Sequence, residues 1–179
     1  REKTGLDKIR HPLVYLMEAA DNICYFTMDI EDGFNKKYYS YDEMIKKIIA
    51  IGNDEVKHDI EAINNSVNSK ILPNIENEKN TKIVNFRIYL IQLLVKDAII
   101  TFEKNFEEIL RGEYDGELLF DKNLSPLANT LQKFQSENIF CKRDIEKLEL
   151  TGENVIKGLL DHFVKDLLQY NDKKCENSA

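Results

Sequence analysis

Apolar positions along the chain recur at helical spacing, and alternating apolar/polar runs are scarce. Leu13 to Asp32 is an apolar-rich segment that begins at Pro12, a first-turn residue, and is closed by Gly33 as a C′ residue. Ser40 and Glu43 have capping-box spacing ahead of Met44, Ile45, Ile48 and Ile49. A more polar helix is predicted over Asp54 to Val67, ending before Pro73. Lys82 to Leu110 reads as one long helix closed by Arg111-Gly112, on the order of 40 Å long. Ser125-Pro126 is a further cap-plus-N1 signal. Thr151 to Tyr170 carries the clearest stripe, with Val155, Ile156, Leu159, Leu160, Phe163, Val164, Leu167 and Leu168 on one face. Residues 171–179 read as a frayed polar tail. The pattern predicts an all-α fold in one domain or part of one, with Leu13–Asp32 and Lys82–Leu110 as central packed helices.

The first of these helices carries the most chemistry. On a wheel of about 100° per residue, Leu13, Leu16, Met17, Ala20, Ile23 and Cys24 share one face. Tyr15, Phe26 and Ile30 lie on one flank and Met28 on the other. A helix apolar almost all round is expected to be central and buried. Asp21, Tyr25 and Asp29, at i, i+4 and i+8, form one ridge. Carboxylates on a buried ridge need a cation, a metal or several donors. The ridge fits a metal ligand, a stacking surface and a hydroxyl acceptor. It equally fits two aspartates paired with Lys or Arg from another helix.

Composition narrows the function classes. The chain has 179 residues, 42% hydrophobic and 32% charged, with only 7 Gly and 3 Pro, which is enough apolar material for a core. A net charge of −7 makes nucleic acid an unfavourable main partner. No apolar run approaches the ~18 residues of a membrane span. The chain opens on charged residues with no apolar h-region, so no signal peptide is expected. Three widely spaced cysteines, Cys24, Cys141 and Cys175, form no disulfide framework and fit a reducing cytoplasm.

The run from Arg10-His11-Pro12-Leu13 through Glu18-Ala19-Ala20-Asp21-Asn22-Ile23-Cys24-Tyr25 to Asp29-Ile30-Glu31-Asp32-Gly33 closely resembles the dGTP triphosphohydrolase family of the HD-domain superfamily. Weaker resemblance continues through Val84–Arg87, Ile109–Asp115 and Leu148–Gly152. The resemblance implies a multi-helix HD-like bundle, present here as an incomplete, C-terminal portion. It implies hydrolysis of a deoxynucleoside triphosphate to deoxynucleoside and inorganic triphosphate, dependent on a divalent metal, Mg²⁺ or Mn²⁺ or a transition ion. By the family motif Asp21 is a metal ligand. Tyr25 packs on the deoxyribose, Asp29 accepts the sugar 3′-hydroxyl, and Arg87 meets the triphosphate. Asn22 stands where the family usually has a second Asp, which removes a negative charge beside the ligand. The family's His and His-Asp ligands precede the final Asp. No His lies among the ten residues before His11, so the partner expected to complete the site is the N-terminal half of the same protein. A homo-oligomer is also expected.

Other candidates have plainer readings. His58-Asp59 comes after Asp21, against the family order, on what reads as a solvated face. His162 reads as surface, and His11 as a helix-cap residue. Arg87 sits among Val84, Phe86, Ile88, Leu90 and Ile91. There a carboxylate of another helix would satisfy it as well as a phosphate. Tyr38, Tyr39 and Tyr41 read as packing residues, Glu18 as paired or near a metal, and Glu103, Glu107 and Glu108 as solvated. Two function classes follow: part of a triphosphohydrolase, or a non-catalytic helical interaction module derived from the same family.

Overall fold

A computed structural model describes residues 10–70, 78–120 and 126–176, with side chains as far as residue 165. Its helices are α1 (Pro12–Asn35), α2 (Tyr41–Ile51), α3 (Asp54–Ser69), α4 (Glu78–Lys104), α5 (Phe106–Arg111), α6 (Pro126–Gln135) and α7 (Arg143–Glu176). A π-turn over Ser136–Phe140 follows α6. No strand occurs among the described residues. The all-α expectation therefore holds. The chain forms two compact units, Arg1–Ile139 and Phe140–Ala179.

Local chemistry sets the helix ends. His11 caps α1: its Nδ1 accepts from the Leu13 backbone N–H at 3.2 Å, and Pro12 follows at N1. Ser40 and Glu43 form the full capping box of α2. Asn53 caps α3 through the Val56 N–H at 2.9 Å. Gly112 closes α5 in the left-handed region, at φ 72°, where a side chain would strain the backbone. Pro126 starts α6. Its proposed cap, Ser125, and the stop at Pro73 lie outside the described residues.

Several boundaries correct the sequence reading. Gly33 does not end α1 but sits inside it, buried, where Tyr39 presses on the helix. A Cβ there would meet the Tyr39 hydroxyl at 2.4 Å. That hydroxyl donates to the Ile30 carbonyl at 2.8 Å, so the glycine makes room for the contact. The helix expected over Lys82–Leu110 is broken at Asn105. The Asn105 side-chain amide takes the Thr101 carbonyl at 2.8 Å and α5 starts afresh. The last helix is longer than expected, beginning at Arg143. It continues to Glu176, so most of the expected polar tail is helical.

In the first unit α1 packs on α4 and α6, α2 on α3, α4 and α6, and α3 on α4 and α6. Each helix contributes one stripe: Met44, Ile45 and Ile48 from α2; Val56, Ile60, Ile63 and Val67 from α3; Ile83, Phe86, Leu90, Leu94, Ala98 and Thr101 from α4. Tyr41 meets Phe86 edge-on with centroids 6.0 Å apart. In the second unit, described by itself, Leu148, Val155, Ile156, Leu159, Leu160, Phe163 and Val164 of α7 are exposed.

Candidate functional site

α1 does bury a stripe, but not the one its composition suggests. Tyr15, Ala19, Ile23, Phe26, Thr27, Ile30 and Gly33 face inward. Polar contacts fix this rotation. Tyr15 Oη donates to the Tyr114 carbonyl at 2.6 Å, and the two rings lie 5.5 Å apart. Gln135 Nε2 donates to the Phe26 carbonyl at 3.0 Å in a buried setting. Of the face expected to be buried, only Ile23 is. Leu13, Leu16, Met17, Ala20 and Cys24 are exposed. The expectation of a helix buried all round is therefore corrected: α1 lies at the surface of its unit and keeps a second, outward apolar face.

Asp21 and Tyr25 lie on that outward side. Asp21 is exposed, and Tyr25 is 62% exposed. Asp29, two turns on, is half-buried. Burial pushes its carboxyl above the ordinary value, with Asp32 raising it further and Lys36 opposing. The three do form one ridge, as spacing requires, but it faces solvent, so its carboxylates carry little desolvation cost at Asp21. Among the described residues Asp21 pairs with no cation. The pairing with Lys or Arg weighed above is thus not what the structure shows for Asp21.

Arg87, reaching from α4, is a third exposed and pairs with Glu31 of α1. The anion it meets within this chain is that carboxylate, which ties α4 to α1 beside the ridge. Arg10 closes the other end. It pairs with Glu18 and lies 4.6 Å from the Tyr15 ring centroid. Its guanidinium is held above its ordinary pKa chiefly by the bond to Glu18. Glu18 is therefore a paired residue. Asn22 Nδ2 donates to Glu117 Oε2 at 3.3 Å. Glu117 escaped the sequence reading because a contact 95 residues away leaves no periodic signal.

The plainer readings fare well. His58 and His162 are exposed and His11 is a cap. Tyr39 and Tyr41 are buried in packing. Burial pushes the Tyr41 hydroxyl up to about 12, and it has no hydrogen-bond partner. Tyr41 lines a cavity of about 630 Å³ between the α1–α2 turn and the start of α4, beside Lys37, Tyr38, Lys79 and Lys82. Asp21, Tyr25, Asp29 and Arg87 are not among its lining residues.

The metal fit can be tested directly. Among the described residues no three His, Cys, Asp or Glu side chains gather where an ion could be held. Asp21 offers oxygen ligands of the kind Mg²⁺ or Mn²⁺ prefers, but offers them alone. The residues described here do not make a complete metal site.

No family model matches the chain. Curated proteins do. A Pseudomonas aeruginosa protein named "Probable deoxyguanosinetriphosphate triphosphohydrolase" is 32% identical over 86% of this chain and 33% of its own length. A Synechocystis "Deoxyguanosinetriphosphate triphosphohydrolase-like protein" is 28% identical over 89% of this chain and 33% of its own. The Salmonella paratyphi A "Deoxyguanosinetriphosphate triphosphohydrolase" is 31% identical over 86% and 31%. The chain thus spans about a third of the length of the curated relatives it matches. These matches bear out the family resemblance carried by residues 10–33 and extend it over most of the chain.

Proposed function

We propose, from this similarity to deoxyguanosinetriphosphate triphosphohydrolases, that the chain is the C-terminal part of an enzyme that hydrolyses dGTP or another deoxynucleoside triphosphate. The products are a deoxynucleoside and inorganic triphosphate. The observation that carries the reading is the ridge itself: Asp21 and Tyr25 stand exposed, and Asp29 half-exposed, in line on one rigid helix. A catalytic constellation built on a helix is held more precisely than one on a loop.

Each residue has a part in this reading. Asp21 contributes one carboxylate to a divalent-metal site completed by groups from outside these residues, in the N-terminal half of the same protein. When bound, such an ion would supply Lewis-acid stabilisation of phosphoryl oxygens. Tyr25 offers an exposed ring face to the deoxyribose. Asp29, roughly 12 Å from Asp21 along the helix at eight residues' rise, accepts a hydrogen bond from the sugar 3′-hydroxyl. Arg87 has five guanidinium donors, and those that Glu31 leaves unused serve the triphosphate. The enzyme works as a cytoplasmic homo-oligomer.

The alternative, a helical interaction module without catalysis, draws on one specific observation. The described residues hold no assembled ligand set.

Kinetics of the intact protein with dGTP and its 3′-deoxy analogue test the reading. Asp29→Ala is expected to lower kcat/KM for dGTP by about 10²-fold and to erase most of the preference for the 3′-hydroxyl substrate, since an unpaired buried hydroxyl is strongly penalised. A variant that keeps the wild-type preference removes Asp29 from the site.

A further inference from the structure

Arg87 and Glu31 each stand beside a core residue. Arg87 follows Phe86, fully buried on α4, and Glu31 follows Ile30, 1% exposed on α1. Both backbones are therefore pinned where the two helices pack. The Glu31 side chain is 19% exposed and that of Arg87 34%. A carboxylate this sheltered needs a cation, and Arg87 is the cation it meets. By contrast Asp21, Asp29 and Asp32 of the same helix make no ion pair among the described residues. Arg87 Nη1 donates to Glu31 Oε2. A guanidinium has five N–H donors, and among the described residues Arg87 makes no other hydrogen bond.

Two effects of such a carboxylate on a phosphate-binding guanidinium oppose each other. Its negative charge offsets part of the attraction for phosphate, but both side chains are partly exposed, so solvent and salt screen that loss. Its hydrogen bond also holds a long, rotamer-rich side chain that would otherwise have to be ordered by the ligand. The planar fork recognises phosphate only in a suitable orientation, so orientation is the larger effect here.

We propose that Glu31 is a positioning residue: its carboxylate holds the Arg87 guanidinium where the remaining donors meet the triphosphate. The proposal rests on the assignment of Arg87 to the triphosphate made under Proposed function. Glu31 lies two residues beyond Asp29, with buried Ile30 between them. One rigid helix thus carries the acceptor for the sugar and the residue that fixes the donor for the phosphates.

Calorimetry on the protein at its full encoded length tests this with the two halves of the substrate given separately, inorganic tripolyphosphate and deoxyguanosine. Glu31→Gln, isosteric but neutral, is expected to weaken tripolyphosphate binding about tenfold and deoxyguanosine binding by less than about twofold. Glu31→Asp keeps the charge and draws the carboxylate back by one carbon. It is expected to weaken tripolyphosphate binding about threefold while the thermal midpoint stays near wild type, so position is tested even where Glu31→Gln lowers stability. In an Arg87→Gln background, Glu31→Gln is expected to add less than about twofold, because Glu31 acts through Arg87. Wild-type tripolyphosphate affinity in both Glu31 variants, tighter binding in Glu31→Gln, equal losses for the two ligands, or additive losses with Arg87→Gln would each overturn the proposal. Unchanged tripolyphosphate binding in Arg87→Gln alone would instead remove the assignment of Arg87, and the proposal with it.

Discussion

α3 and α1 make opposite use of their apolar residues. α3 is polar apart from a thin stripe, and Val56, Ile60, Ile63 and Val67 are all buried. α1 is apolar over much of its circumference, yet it buries only one side and leaves Leu13, Met17 and Met28 more than half exposed. In α3 every large apolar residue is explained by packing within the unit. In α1 half are not. The surplus on α1 coincides with the exposed Asp21 and Tyr25, so the unexplained apolar face and the proposed chemistry occupy the same surface.

The sharpest way to break this contrast is at the core that both helices share. Phe86 is fully buried on α4 against Tyr41. Phe86→Ala is expected to cost about 3–5 kcal/mol of stability, read from the denaturant midpoint. A loss below about 1 kcal/mol would mean that the inward stripes are not the core.

A smaller effect is expected where α3 meets α4. Burial, then Asp59 and Glu55 of α3, push Asp97 up to about 6, with Lys96 opposing. A carboxyl whose folded pKa is raised binds its proton more tightly when folded. Its contribution to stability is therefore present below about pH 4 and lost as pH rises through about 6. Asp97→Asn is expected to stabilise the protein at pH 7 by on the order of 1 kcal/mol, after discounting for solvent screening of a half-exposed group. The gain should vanish near pH 4. Thermal melts of both proteins across that range check the sign; a gain that grows toward low pH contradicts it.

The smallest effect belongs to the outward face. Met17→Ala removes an apolar side chain as large as many in the core, yet it is expected to change stability by under about 0.5 kcal/mol in the 179-residue chain. A loss of 2 kcal/mol or more, of the order seen for buried methionines, would place Met17 in a packed interior and erase the contrast.

Where local chemistry decides, the sequence was informative. The capping box at Ser40, the helix end at Gly112 and the polar helix from Asp54 are all local signals, and the structure has them. The rotation of α1 was not legible, because contacts 99 and 109 residues away, Tyr15 to Tyr114 and Gln135 to Phe26, select the inward side. The partner of Arg87 is likewise remote, at Glu31. The break falls at Asn105, whose side-chain amide and backbone N–H both donate to the Thr101 carbonyl, and the apolar period on either side masked it. The ridge of Asp21, Tyr25 and Asp29 followed from spacing alone, whereas its exposure followed from the rotation and was misjudged with it.

The central claim is that Asp21 belongs to a hydrolytic site this chain does not complete alone. Release of inorganic triphosphate from dGTP, with Mg²⁺ or Mn²⁺ supplied, tests it in three samples: the 179-residue chain, the protein at its full encoded length, and that full-length protein carrying Asp21→Ala. The account expects triphosphate only from the second sample. Release by the 179-residue chain that tracks the protein through purification, or undiminished release by the Asp21→Ala protein, would contradict it.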